Sequence, residues 1–368
     1  MNRKYDVKLL QKLQERQYVK KEKGIEIIYK RIPDSDEVGV MDPRLYKSMR
    51  KQLIIMRLLP KSMFSMKDPL DMVKRFRKMF NEVKSIPIVN SKIDIERLNI
   101  DCDGVSVPIR IYKPEGNKKN LPIYLYFHGG GFFGGSPDVV EEMCKVLVER
   151  EGFIAVSVDY RLAPENKYPS SHDDCFNALK WIYDNAESFG GDKNKICVSG
   201  DSAGGNLATF CAMKDRDLNL GMVKLQALIY PTVNMGAVED EDYHWSMDEY
   251  EIAKKHSFAL NMMINVFGDA GNSFKAILGV DDIRTSYLTP YMADLKGMPP
   301  AIILFGEHDF LKVECVSYAV KLNKAGVKTK TIIYKGFGHG FADVIGGYPQ
   351  AEDCMIEIGN FIRENFYK

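Results

Sequence analysis

The sequence predicts an α/β fold with a mostly parallel, doubly wound sheet. From residue 121 onward, short β-rich apolar runs alternate with helix-compatible stretches, the pattern of repeated βαβ units. The runs are 123–127, 153–158, 195–199, 225–230, 301–305 and 329–334. Between or after them lie 138–150, 171–189, 203–214, 312–325 and 349–366, each able to form a crossover helix. Composition agrees: 368 residues, 45% apolar and 27% charged, can bury a sizeable core without disulfides or a structural metal.

Ahead of this repeat the pattern differs. Residues 1–31 carry ten Lys/Arg against four Asp/Glu, with Leu9, Leu10 and Leu13 as an apolar cluster. They read as a solvated helix against the body, in preference to a basic helix on a membrane surface. Between 42 and 84 the apolar spacing is helical, through Leu53, Ile54, Ile55, Leu58 and Leu59, then Met72, Val73, Phe76, Met79, Phe80 and Val83. Pro60, Pro69 and Pro87 divide it into two or three short helices. After Pro87 the period falls to two. Ile93, Ile95, Leu98 and Ile100 answer Val105, Val107, Ile109 and Ile111 across Asp103-Gly104, which reads as a β-hairpin. Residues 232–295 interrupt the later repeat with a long segment rich in Met and aromatic residues, a lid or a decoration.

Charge and cysteine usage exclude several classes of function. The chain has 51 Lys+Arg and 50 Asp+Glu, a net +1, which argues against a nucleic-acid partner. Seven cysteines, an odd number without a CxxC pair, suggest neither a disulfide framework nor a zinc ribbon. Most lie in apolar runs such as Ile196-Cys197-Val198 and read as buried thiols in a reducing compartment. The stretch MNRKYDVKLLQKLQERQYVKKEKG lacks the apolar core of a secretory signal, and no run of ~18 apolar residues could span a membrane. A soluble cytoplasmic protein is the expectation. Oligomeric state is not legible.

Chemistry concentrates in four places. Gly200-Asp201-Ser202-Ala203-Gly204 fits G-x-S-x-G, follows an apolar run and precedes a helical stretch, the strand–turn–helix setting of a nucleophile elbow. Small neighbours tolerate the tight turn, and the following helix N-terminus supplies a positive field. His128-Gly129-Gly130-Gly131 follows another run, and its backbone N–H groups could hold a developing oxyanion. A phosphate-binding loop is the rival, but Gly134 and Gly135 complete no dinucleotide fingerprint and no GK[ST] exists. His128 itself reads as stiffening the loop. His339, between glycines in Gly338-His339-Gly340, is the candidate base, with His308 as competitor. Asp309, after the run 301–305, is the candidate orienting carboxylate, with Glu307 and Asp343 as competitors. The order Ser202, Asp309, His339 is the order of hydrolases with this elbow. No HExxH or HxxEH is present, so no metal site is expected; His172 reads as capping or solvating a helix start near 170. Arg161 with Asp159 or Glu165 reads as an ion pair bracing the cleft rim.

Taken together, these residues resemble the hormone-sensitive-lipase-like group of α/β-hydrolase esterases. The resemblance runs from about 93 to 361 on HGGG at 128–131, YRLAPE at 160–165, GDSAGG at 200–205, TPYMADLKGMPPA at 289–301, GEHDFL at 306–311 and HGF at 339–341. It implies the α/β-hydrolase fold with a helical cap, Ser202 as nucleophile, His339 as base and Asp309 as its carboxylate. It also implies an oxyanion hole from the N–H groups of Gly129, Gly130 and Ala203, with no cofactor and no metal. Residues 1–85 would be the N-terminal cap or arm and 86–368 the catalytic domain, with 232–285 contributing to the cap. The chain departs from the family where Asp-Pro-Leu-Arg-Asp-Glu is usual: here Asp309-Phe310-Leu311-Lys312-Val313-Glu314 has Val313 at the second acidic position.

The expected activity is hydrolysis of a small-molecule carboxylic ester through an acyl-serine intermediate. Amides, formamides and lactones are alternatives on the same triad, and a non-catalytic small-molecule receptor is an alternative of another class. Met63, Phe64, Met66, Phe76, Phe80, Met262, Met263 and Phe267 are candidate pocket lining, from which short-to-medium acyl chains are expected.

Overall fold

The structure is a computed structural model and describes residues 3–58, 68–102, 104–116, 118–265 and 271–367. Helix α1 (Val7–Glu15) is capped by Asp6, whose side chain accepts from the Lys8 N–H. It packs on the body through Tyr5 and Leu10, as expected of a helix lying against it. The next segment departs from the expectation of an all-helical arm. Residues 17–30 form an antiparallel hairpin, β1 (Gln17–Glu22) and β2 (Ile25–Lys30), turning at Lys23-Gly24, both with positive φ. The reason lies in burial: Ile25, Ile27 and Tyr29 alternate inward, and Lys30 is buried in an ion pair with Asp353 and Glu357.

Two helices come next, α2 (Pro43–Leu58) and α3 (Pro69–Phe80). The predicted β-hairpin is present as β3 (Ile93–Cys102) and β4 (Val105–Pro114); Asp103 of its turn lies outside the described residues. The repeat then runs β5 (Leu121–Phe127), α4 (Pro137–Glu151), β6 (Ile154–Val158), α5 (Ser170–Asn185), β7 (Gly191–Asp201), α6 (Ala203–Asp217) and β8 (Val223–Ile229). The insertion supplies α7 (Ser257–Ile264) and α8 (Gly271–Leu278), and α8 packs on α3. Strand β9 (Ala301–Gly306), α9 (Lys312–Lys324), β10 (Thr329–Tyr334) and α10 (Pro349–Phe366) complete the fold.

One sheet holds the strands in the order β1-β2-β10-β9-β8-β7-β5-β6-β4-β3. It is parallel from β2 through β6 and antiparallel at both margins. The central strands are buried on both faces, which is why they read as continuous apolar runs. Strand order reverses at β5, whose neighbours β6 and β7 both follow it in sequence, so a crevice opens at the carboxyl ends of β5 and β7. All seven cysteines are buried, and none forms a disulfide. Among the described residues, no helix is long and apolar enough to cross a membrane.

Candidate active site

Ser202 sits between β7 and α6 with φ 54° and ψ −117°, a conformation strained for any residue with a Cβ. Its surroundings hold it there. The Ser202 N–H donates to the Ile229 carbonyl at 2.9 Å, and its own carbonyl accepts from Thr232 N–H at 3.1 Å and Asn206 N–H at 3.2 Å. The flanking glycines are a steric requirement: a Cβ on Gly204 would meet the Phe127 carbonyl oxygen at 2.0 Å, and one on Gly200 would meet Gly204 at 2.3 Å. The elbow is thus wedged between β5 and its own helix.

The three side chains expected to act together do meet. Ser202 Oγ lies 2.9 Å from His339 Nε2, and His339 Nδ1 lies 2.9 and 3.0 Å from the two Asp309 oxygens. Asp309 is fully buried, and its carboxylate also accepts from the Leu311 N–H at 2.8 Å. Tyr250, from the insertion, donates its hydroxyl to the Asp309 carbonyl at 2.9 Å. The rings of Tyr230 and Phe310 lie 4.6 and 4.5 Å from the imidazole and limit its movement. The competing groups have other partners. Glu307 pairs with Lys335 at 3.0 Å and accepts from Gly336 N–H, His308 Nε2 faces the Glu251 carbonyl at 3.1 Å, and Asp343 lies 3.8 Å from Lys84. Val313 is buried in the core. The acid loop is braced instead by Leu311 and Tyr250, and by Glu314, which accepts from the N–H groups of Val233 and Asn234 at 2.7 and 3.2 Å. Burial pushes the Glu314 carboxyl up to about 7.

The glycine loop requires a correction. The Gly129 N–H donates to Asp201 Oδ1 at 2.8 Å, so it is engaged on a buried carboxylate rather than open to a ligand. Asp201 takes a second bond from Tyr126 Oη at 2.7 Å, and burial raises its pKa to about 6. The N–H groups of Gly130 and Gly131 have no hydrogen-bond partner among the described residues, and both glycines line the cavity beside Ser202 and Ala203. Gly131 is not among the amides the resemblance points to; the signal for it is its place as the third glycine of the same motif. His128 does stiffen the loop: Nδ1 lies 2.9 Å from the Gly129 carbonyl, and its ring stacks on Tyr160 at 4.2 Å. Burial pushes its pKa down to about 4.

Two further expectations change. Arg161 pairs with neither Asp159 nor Glu165; it binds Asp174 on α5, at distances down to 2.7 Å. Glu165 is taken by Arg77 of α3, which forks onto it at 2.8 Å and also donates to the carbonyls of Ala163 and Phe133. That pairing holds the Glu165 carboxyl down at about 2. His172 is not solvated. It is fully buried with Nε2 3.3 Å from Asn206 Oδ1, against the rings of Phe132 and Phe210, and burial pushes its pKa down to about 3.

A cavity of about 1580 Å³ lies over the triad. Its floor is the elbow, the glycine loop and the His339 loop; its roof comes from α2, α3, α7 and α8. Phe76, Phe80 and Met263 line it as expected, whereas Met262 does not. Met63, Phe64, Met66 and Phe267 lie outside the described residues. Phe80, Phe133 and Phe274 form an aromatic wall, with ring centroids 5.6 and 6.4 Å apart. A strained serine on a histidine and a buried carboxylate, beside unpaired amides under an apolar roof, can carry out acyl transfer.

A family model described as the α/β-hydrolase fold matches residues 124–343. A carboxylesterase of Mycobacterium tuberculosis, NlhH, is 33% identical over 292 residues, covering 77% of this chain and 86% of the relative. An arylesterase of Saccharolobus solfataricus is 30% identical over 295 residues, covering 80% of this chain and 91% of the relative. Among solved structures, the hyperthermophilic esterase of the archaeon Pyrobaculum calidifontis superposes with a TM-score of 0.70 at 30% identity, covering 89% of this chain and 99% of that one.

Proposed function

The chain belongs to the α/β-hydrolase-fold family, in its hormone-sensitive-lipase-like branch, and is a carboxylic ester hydrolase; we propose that Ser202, His339 and Asp309 carry its reaction. The observation that supports this assignment is the continuous line of hydrogen bonds from Ser202 Oγ through the imidazole to Asp309. His339 Nε2 takes the Oγ proton as Oγ attacks the ester carbonyl, and Asp309 stabilises the resulting imidazolium. The negative charge on the carbonyl oxygen meets the N–H groups of Gly130, Gly131 and Ala203, the last being the first N–H of α6 and so outside the helical ladder. Collapse of the tetrahedral intermediate breaks the bond to the alkoxy oxygen, which leaves with the proton from His339. A water molecule activated by the same nitrogen then cleaves the acyl-serine and releases the carboxylic acid.

The apolar and aromatic roof supports a preference for short-to-medium acyl chains. The seven buried thiols support a cytoplasmic location. A panel of p-nitrophenyl esters of graded chain length, run beside amides and lactones, tests the substrate reading. Esters of short-to-medium acids should show the highest kcat/KM; a maximum on amides or lactones would overturn it.

A further inference from the structure

The near-neutral net charge hides a strong asymmetry. Residues 1–85 hold 22 Lys+Arg against 11 Asp+Glu, whereas the remainder holds 29 against 39. The excess gathers on the roof. Helix α2 has five Lys/Arg and no Asp/Glu, and α3 has four against one. Several of these are occupied: Arg44 by Asp34 and Asp42, Arg77 by Glu165, and Lys74 by Asp71. Lys47, Arg50 and Lys51 are exposed and have no ion-pair partner among the described residues.

Helical geometry sets these three beside apolar side chains. Lys47, Lys51, Ile54 and Ile55 fall at i, i+4, i+7 and i+8, with Arg50 one turn before Ile54. The opposite face carries Leu45, Met49 and Leu53, the first two lining the cavity and the third buried. Ile54 and Ile55 are 54% and 57% exposed, and Leu70 and Met79 on α3 and Val83 after it are exposed as well. Five of the thirteen exposed large apolar side chains among the described residues thus fall between 54 and 83. Gln52 and Met79 are both exposed and part of the cavity lining, so the helices that carry the patch also form its rim.

We propose that the outer face of α2, with the exposed apolar residues of α3, docks on an anionic lipid bilayer and turns the cavity rim toward it. Unpaired cations alternating with exposed aliphatic residues on one helix face fit headgroup phosphates and the acyl boundary beneath them. A second copy is the poorer occupant, because two such faces would bring like charges together. Helix α1, with Lys8 and Lys12 against Glu15, is not part of the surface, since it packs against the body at α10.

Co-sedimentation of the full chain with phosphatidylcholine vesicles, with and without phosphatidylglycerol, tests the docking at low and raised salt. Binding should require the anionic lipid and weaken with salt. The triple change Lys47→Glu, Arg50→Glu, Lys51→Glu should weaken partitioning about a hundredfold or more. Ile54→Ser with Ile55→Ser should weaken it too, and both variants should hydrolyse a water-soluble ester as the wild type does. Ser202→Ala should still bind vesicles, which separates docking from the chemistry. Absence of wild-type binding to anionic vesicles, or a triple variant that binds as well as wild type, would overturn the proposal. So would loss of binding through Lys8→Glu with Lys12→Glu on α1, or self-association abolished by the triple change without vesicle binding.

Discussion

The floor and the roof of the cavity are held by different means. On the floor, Ser202 is fixed through both its backbone N–H and carbonyl, Asp309 through Leu311 and Tyr250, and Gly129 through Asp201. These bonds tie the elbow to β8, the glycine loop to the elbow, and the acid loop to itself and to the insertion. The roof helices meet the body at their ends, by backbone bonds such as Asp42 N–H to the Gly336 carbonyl and Tyr168 N–H to the Leu278 carbonyl, and otherwise through side chains. Arg77 clamps α3 to Glu165 and to the carbonyls of Ala163 and Phe133, and Ser48 of α2 faces the Tyr348 hydroxyl at 3.0 Å. Groups held on short loops at the sheet end keep catalytic distances within tenths of an ångström, whereas helices tied at their ends and by a few side chains permit a cover to shift with its occupant. Positional accuracy is therefore built into the floor and adaptability into the roof.

Substitutions that touch only one of the two layers can break this contrast. The largest effect is expected on the floor: Asp309→Asn should lower kcat by about 10⁴-fold, the scale for a triad carboxylate replaced by an amide. Glu307→Gln, in the same loop after β9 but paired with Lys335, should leave kcat within about threefold. Steady-state kinetics on one soluble ester distinguishes them, and the reverse ranking would exchange their roles. On the roof, Arg77→Ala removes the fork to Glu165 and two carbonyl bonds. KM should rise about three- to tenfold with kcat nearly unchanged. A collapse of kcat instead would mean that roof and floor are one rigid unit.

The smallest effect concerns acid stability behind the floor. His172 is held at about 3 by burial, below the ordinary histidine value, so the unfolded chain binds its proton more readily. The stability this contributes is present above about pH 6.5 and is lost as pH falls toward 3. His172→Gln can keep a bond to Asn206 without a titrating ring. Its unfolding free energy, measured from pH 7 to 4, should therefore decline less steeply than that of the wild type. An equal or steeper slope would assign the acid sensitivity to other groups.

The two layers also differed in how far they could be read. The elbow, the glycine loop and the His339 loop are short motifs at the ends of apolar strands, so local sequence carried both their type and their place in the fold. The roof helices were legible as helices from their period, but not which face turned inward, because Leu53 and Ile54 are alike in sequence and opposite in burial. The hairpin at 17–30 was missed although Ile25, Ile27 and Tyr29 alternate; its outer strand is rich in lysine, and Lys30 is stabilised by carboxylates more than 320 residues away. Capture by a partner outside the local motif also took Gly129 to Asp201, 72 residues on, and Arg161 to Asp174, 13 residues on. Polar pairing across the fold leaves no periodic trace.

The central claim is that Ser202 is the nucleophile of a triad closed by His339 and Asp309. Treating the protein with a fluorophosphonate probe and locating the adduct by mass spectrometry tests this most directly. One probe per chain should attach at Ser202, ester turnover should fall in proportion, and Ser202→Ala should take up none and lose turnover by several orders of magnitude. An adduct on another residue, or near-normal ester cleavage by Ser202→Ala, would contradict the claim.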